Sequence, residues 1–335
     1  RQALALAPAF AEAHNNLGNL LLAAGDATGA LASYDRAVAA RPDYAEAHVN
    51  RGNALQAAGR PAEAVASYDR ALALRPGSAD ARWNKAFALL LAGDYPAGLE
   101  CFEARWELPG VAPRVPGPAW RDAPGAPPLA GRTVLVHHEQ GLGDTLQMLR
   151  YVPLLAGRGA RVVLAVPAAL ASVAATVAGV AAVVDSAAPL PPFDLHVPCM
   201  SLPRAFGTTL ATIPAAVPYL AAPADRRAAW QARLGPRSRP RIGLAWSGAP
   251  GHRNDRQRSL PLATLAPLLD LDAEWHSLQR EYRDTDRAEL GSHPGLHDWS
   301  ALLGDLGDTA GLVAGLDLVI SVDTAVAHLA GALGC

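Results

Sequence analysis

Along the first part of the chain, apolar residues recur at helical spacing with polar faces between them, and the pattern returns every 34 residues. After residue 132 the period changes. Short β-branched runs at Thr133–Val136, Val162–Val166, Ala181–Val184 and Asp194–Val197 predict strands separated by helices or loops. A second series opens with the run Ile242–Gly248 as strand, followed by Pro261–Leu269 as helix and Glu274–Gln279 as strand. It continues with Leu316–Ser321 as strand and a helix from Asp323. Such alternation implies parallel sheets covered by helices, and Pro214, Pro218 and Pro223 separate the two series. The expected division is residues 1–108 helical repeats, 109–132 linker, 133–220 a first Rossmann-like half and 221–335 a second. Val162 to Val184 carries no charge over a length that spans a bilayer. Pro167, Ser172 and Thr176 break it, so it reads as strand, helix and strand in a buried sheet.

The repeat is read from register. Pro8, Pro42 and Pro76 are 34 apart, as are Gly25, Gly59 and Gly93; Gly18, Gly52 and Ala86 keep step with Tyr34, Tyr68 and Phe102. This is the tetratricopeptide period: small residues let paired helices approach, aromatics fill the gap between pairs, and each proline stops a second helix. Arg1 to Ala7 reads as the tail of an earlier repeat. Asparagines hold the same register at Asn16, Asn50 and Asn84, with Asn19 and Asn53 one turn on. On the concave face of a solenoid, amides can pair with the backbone of a bound polypeptide; equally, they can bond between repeats or face water. The ladder resembles that of protein O-GlcNAc transferases, where asparagines hold the acceptor polypeptide.

Between Pro109 and Arg132 the repeat fails and seven prolines appear, which predicts a linker or packed extended segment pinned by Trp106 and Trp120. The 335 residues are 18% charged with a net charge of −2, which gives no basic nucleic-acid surface. Cys101, Cys199 and Cys335 form no metal spacing, so a reduced, cytoplasmic setting is expected. Both ends read as cut: no methionine stands at the start, and the last helical pattern lacks the next strand of a parallel sheet.

Chemistry concentrates in Thr133 to Tyr151, where a strand enters the glycine loop Gly141-Leu142-Gly143 and then a helix with Leu146, Leu149, Tyr151 and Val152 on its apolar face. A helix N-terminus so placed attracts negative charge. Asp144 at that end reads either as an N-cap or as a general base. The dinucleotide fingerprint is not met, because Leu146 stands at the third small-residue position and the second strand ends in Val166-Pro167 instead of an acid.

Three stretches together resemble heptosyltransferase-like glycosyltransferases, of the family 9-like GT-B type. They are QGLGDTLQMLRY from Gln140, WSGAPGHRNDRQRSLPL from Trp246, and DLVISVDTAVAHLAGALG from Asp317. In the last, Asp323-Thr324-Ala325-Val326-Ala327-His328 stands for the family's Asp-Thr-Gly-x-x-His, with Ala325 in place of glycine. Tetratricopeptide repeats fused ahead of such a domain are a bacterial arrangement. The resemblance implies an α-helical solenoid followed by a GT-B fold, cut before its last elements. It implies a nucleotide-sugar donor in the second half and a protein or glycan acceptor in the first. No cofactor or metal is implied. Asp144 would be the base, and Arg256, Arg258, Ser259, Asn254, Asp323, Thr324 and His328 the donor-binding set, with Arg253 in the same loop. Within that set Asp323 reads as a helix cap, since a carboxylate repels phosphate. Gly141, Gly143, His137 and His138 would line the acceptor side, and Asn16, Asn50 and Asn84 the peptide groove. Trp246 and Trp299 read as core packing before sugar stacking. The alternative is a non-catalytic interaction protein whose transferase-like domain no longer turns over.

Overall fold

The computed structural model describes residues 4, 6–111, 115–122, 125–249, 251 and 255–335, with backbone alone at 256 and 257. Helices α1 (Ala11–Ala23), α2 (Ala27–Ala40), α3 (Ala45–Ala57), α4 (Pro61–Leu74), α5 (Ala79–Leu91) and α6 (Tyr95–Phe102) form successive pairs. The register works as the repeat predicts. A Cβ on Gly52 would lie 2.5 Å from the Tyr68 ring, so the glycine is what lets α3 and α4 close on that ring. Tyr34 and Tyr68 are buried, and their hydroxyls donate to Asn19 Oδ1 and Asn53 Oδ1 at 2.7 Å each. A buried hydroxyl needs such a partner. In the third copy both members change together: Phe102 has no hydroxyl, and Phe87 replaces the asparagine and packs beside it and Trp83.

The rest of the fold is α/β. Strands β1 (Thr133–His137), β2 (Arg161–Val166), β3 (Val180–Asp185) and β4 (Leu195–Pro198) make a parallel sheet of order β3-β2-β1-β4. Strands β5 (Arg241–Ala245), β6 (Glu274–Ser277), β7 (Leu296–His297) and β8 (Leu318–Ser321) repeat that order as β7-β6-β5-β8, also parallel. The uncharged run Val162 to Val184 is β2, a helix and β3, and no helix among the described residues is long and apolar enough to cross a membrane. The second sheet gains one strand over the three expected, the two-residue β7, too short to carry a period. The helix expected over Pro261–Leu269 is divided into Leu262–Leu265 and a 3-10 turn Ala266–Asp270, with Pro267 at the junction removing a backbone donor.

Helices of the two halves pack directly. Helix α7 (Leu142–Met148) lies on α11 (Ala325–Leu333), and α8 (Ala168–Ala174) lies on α10 (Leu306–Val313). Helix α9 (Ala224–Leu234) covers the second sheet with Trp230, whose ring meets Trp299 edge-on at 5.3 Å. Part of the proline-rich stretch is packed as expected: Trp120 is buried, its backbone N–H donates to His196 O at 3.0 Å, and the His196 backbone N–H donates to Pro118 O at 3.1 Å.

The chain separates into two compact units, and the boundary differs from the linear division. Pro203–Ile213, expected in the first α/β half, belongs with the repeats up to Pro116. There Arg204 Nε donates to Glu100 Oε2 at 2.9 Å and Leu210 lies against Gly93. Gly117–Leu202 and Pro214–Cys335 form the α/β unit.

A candidate ligand cleft at the strand ends

In both sheets the order reverses beside the first strand, and the loops that leave the C-terminal ends of β1, β5, β6 and β8 surround one cleft of about 690 Å³. Open parallel sheets bind ligands at such switch points, because neighbouring connections leave in opposite directions and open a crevice.

Gly141 caps α7, correcting the expectation that Asp144 is its N-cap. Asp144 is the third residue of the helix, and its Oδ2 accepts from Gly141 N–H at 2.9 Å. It therefore does the work of a cap from inside the first turn while lining the cleft with Gly141 and Gly143. Across from it, Thr324, not Asp323, is the N-cap of α11. The Thr324 hydroxyl is 3.2 Å from Ser321 Oγ, and Thr324, Ala325 and His328 face the cleft. The Asp323 carbonyl accepts from Arg258 Nη1 at 3.1 Å, and the residue is exposed.

Arg258 and Arg283 share the opposite wall, and each has a buried Nε that lacks an acceptor among the described residues. Ser259 stands behind that wall instead of lining it. Its Oγ accepts from Gly248 N–H at 3.0 Å and donates to Asp255 Oδ1 at 2.7 Å. Asp255 Oδ2 in turn accepts from Arg283 Nη2 at 2.6 Å. The serine thus ties two loops together and, through Asp255, holds Arg283. Arg253 and Asn254 lie outside the described residues, as does the side chain of Arg256.

The two histidines at the end of β1, His137 in the strand and His138 just past it, do not line the cleft. His137 is buried, with Nε2 3.3 Å from His196 Nδ1. His138 Nδ1 is 2.6 Å from Thr145 Oγ1; burial holds its pKa below the usual imidazole value, and the Asp144 charge opposes this in part. Trp246 is fully buried and stacks with Tyr282 at 5.8 Å, and Trp299 joins the core around Trp230.

Sequence reasoning missed the loop after β6, which brings Arg280, Tyr282 and Arg283 to the cleft, and the start of α10, which brings Asp305 and Thr309. A signal for the second was available. Asp305-Leu-Gly-Asp308 has capping-box spacing, and here Asp305 Oδ1 accepts from Asp308 N–H at 3.0 Å while Asp305 Oδ2 accepts from Ser172 Oγ at 2.8 Å.

In the repeats, Asn50 Nδ2 donates to Asn15 Oδ1 at 2.9 Å, so this rung of the ladder bonds between repeats. Asn16 and Asn84 make no side-chain hydrogen bond among the described residues; Asn16 is exposed and Asn84 half-buried.

Two family profiles match the chain, TPR repeat over residues 18–59 and Tetratricopeptide repeat over residues 49–105. The N-terminal region therefore carries tetratricopeptide repeats, a protein-interaction module. No curated protein sequence matches. Among solved structures, MamA is 23% identical over 31% of this chain and 61% of its own, with a TM-score of 0.30. The chain thus spans about three fifths of that protein. The second TPR of Spaghetti (RPAP3), bound to the HSP90 peptide SRMEEVD, is 23% identical over 28% of this chain and 87% of its own, with a TM-score of 0.28. The TPR2B domain of yeast Sti1, solved as a pHsp70 complex, is 26% identical over 29% and 78%, with a TM-score of 0.28.

Proposed function

We propose that the α/β unit is a GT-B-type glycosyltransferase and that its cleft takes the diphosphate of a nucleotide sugar, while the repeats recruit a polypeptide acceptor or partner. One observation carries the reading: the side chains of Arg258 and Arg283 line a cleft that the N-terminus of α11 also lines. Fixed donors, guanidinium charge and a helix dipole suit a diphosphate, and they suit the leaving group of a sugar transfer still better, because charge builds there as the bond breaks. In this reading Thr324 and His328 add a hydroxyl and an imidazole on the same side. Asp144 on α7 removes the proton of the acceptor nucleophile; its Oδ2 is held by Gly141 N–H, which fixes the carboxylate's direction.

The test is isothermal titration of the whole chain with UDP-, GDP- and ADP-sugars, followed by donor hydrolysis and transfer assays. Micromolar binding with turnover of one donor is expected. Binding without turnover on any acceptor would instead favour a scaffold whose α/β unit senses the nucleotide. Absence of binding would remove the nucleotide-sugar reading altogether.

A further inference from the structure

The two junctions between successive repeats share a frame of alanines, a glutamate and an arginine, and differ where Asn15, Tyr44 and Glu46 of the first become Val49, Ser78 and Asp80 of the second. At the first, Arg41 lies over the ring of Tyr44, its Cζ 3.7 Å from the centroid, and Arg41 Nη1 pairs with Glu12 Oε1 at 2.6 Å. Thirty-four residues on, Glu12, Arg41 and Tyr44 become Glu46, Arg75 and Ser78. Ser78 has traded the ring for a helix cap, accepting from Ala81 N–H at 3.2 Å.

The second junction is consequently open. Arg75, without a ring beneath it, makes no ion pair among the described residues, and Glu46 keeps only the long 3.4 Å contact from Asn15 Nδ2. Between them lies a cavity of about 190 Å³ with Val49 and Ala71 as apolar lining and Asp80 at its side. At the first junction the position of Ser78 is held by Tyr44, whose ring lies under Arg41.

We infer that this cavity is a docking pocket for a tyrosine side chain presented by an extended polypeptide. The occupant follows from the first junction: there the ring that stands under the equivalent, glutamate-paired arginine is a phenol. Arg75 would close over the ring as Arg41 does over Tyr44, a cation–π contact, while Val49 and Ala71 take its apolar face. The inference rests on the reading that the repeats recruit a polypeptide, and it names the side chain that they select.

The experiment is saturation-transfer NMR on the whole chain with N-acetyl-L-tyrosinamide, and with N-acetyl-L-alaninamide as comparison. Wild type should transfer saturation to the phenol ring protons and give little signal for the alanine compound. Ser78→Tyr should abolish the signal by filling the pocket from within. Ser78→Ala, which loses the same cap but leaves the pocket open, should retain it, separating occupancy from any effect on folding. Arg75→Ala should weaken binding by about two- to fivefold, as one exposed cation–π contact would. An undiminished signal in Ser78→Tyr, or equal signals from both compounds, would overturn the inference. Polypeptide capture that survives Ser78→Tyr unchanged would overturn it while leaving recruitment intact. Tyrosinamide binding by a chain that captures no polypeptide would support the pocket and remove the recruitment reading.

Discussion

The imidazole of His328 occupies the space that a side chain on Gly143 would need: a Cβ built there would lie 2.6 Å from His328 Cδ2 and 3.4 Å from the Ala325 Cα. The glycine loop of the first half and the last helix of the second are thus fitted to each other across the cleft floor. Gly143→Ala should push His328 aside at a cost of about 1–3 kcal/mol, as overpacking does. Thermal denaturation and nucleotide titration of the same variant check it, and both should weaken together.

Asp144 separates two roles by substitution. Asparagine retains an acceptor for Gly141 N–H, so Asp144→Asn should melt close to wild type while turnover drops about a hundredfold or more. Asp144→Ala should lose that bond as well, at about 1 kcal/mol. An active asparagine variant would leave Asp144 as a helix-end residue only, and the base would have to be sought elsewhere, since His137 and His138 are turned into the first half.

On the proposed reading of the cleft, Arg258→Ala and His328→Ala should each weaken nucleotide-diphosphate binding by about 1.5–3 kcal/mol if a charge-assisted bond is lost. Ser259→Ala is the contrasting case. It removes the link between Gly248 and Asp255, so a lower melting temperature should accompany any fall in affinity. Calorimetry for binding and for unfolding distinguishes the two patterns.

The Tyr68–Asn53 pair makes a prediction about the repeats. Asn53→Ala leaves the hydroxyl of a fully buried tyrosine only its longer 3.3 Å bond to Gln56 Oε1 and should cost about 1 kcal/mol. Combining Asn53→Phe with Tyr68→Phe copies the third repeat and should recover part of the loss. A double-mutant cycle by urea unfolding measures the coupling, and additive losses would contradict the pairing.

His276 gives the pH dependence. It is 2% exposed and stacks on His297 and Trp299, and burial followed by the neighbouring His297 lowers its pKa to about 4 from 6.5. The unfolded chain takes up this proton first, so below about pH 6.5 acid favours unfolding. The loss grows until the folded pKa near 4 and reaches at most about 3 kcal/mol. Melting temperature against pH for wild type and His276→Gln checks it: the variant's curve should be flatter between these values.

The sequence by itself determined whatever depends on a period. Residues 34 apart carry the same packing duties, so the tetratricopeptide helices follow from register, as do the buried strands from runs such as Val134 to Val136. It also marked Gly143, Arg258, Thr324 and His328, because each sits beside a strand-to-helix turn whose type is readable locally. Tertiary structure decided which side of each turn faces the cleft. His137 and His138 are adjacent to the glycine loop in sequence, yet strand direction turns one onto His196 and a hydroxyl holds the other. Ser259 and Arg283 exchanged importance for a similar reason: a carboxylate between them, Asp255, fixes one behind the wall and the other on it. The open junction at Ser78 shows the limit most plainly. Its residue is legible as an ordinary helix cap, but the space that it leaves exists only once Glu46 and Val49 of α3 and Ala71 of α4 are brought around it.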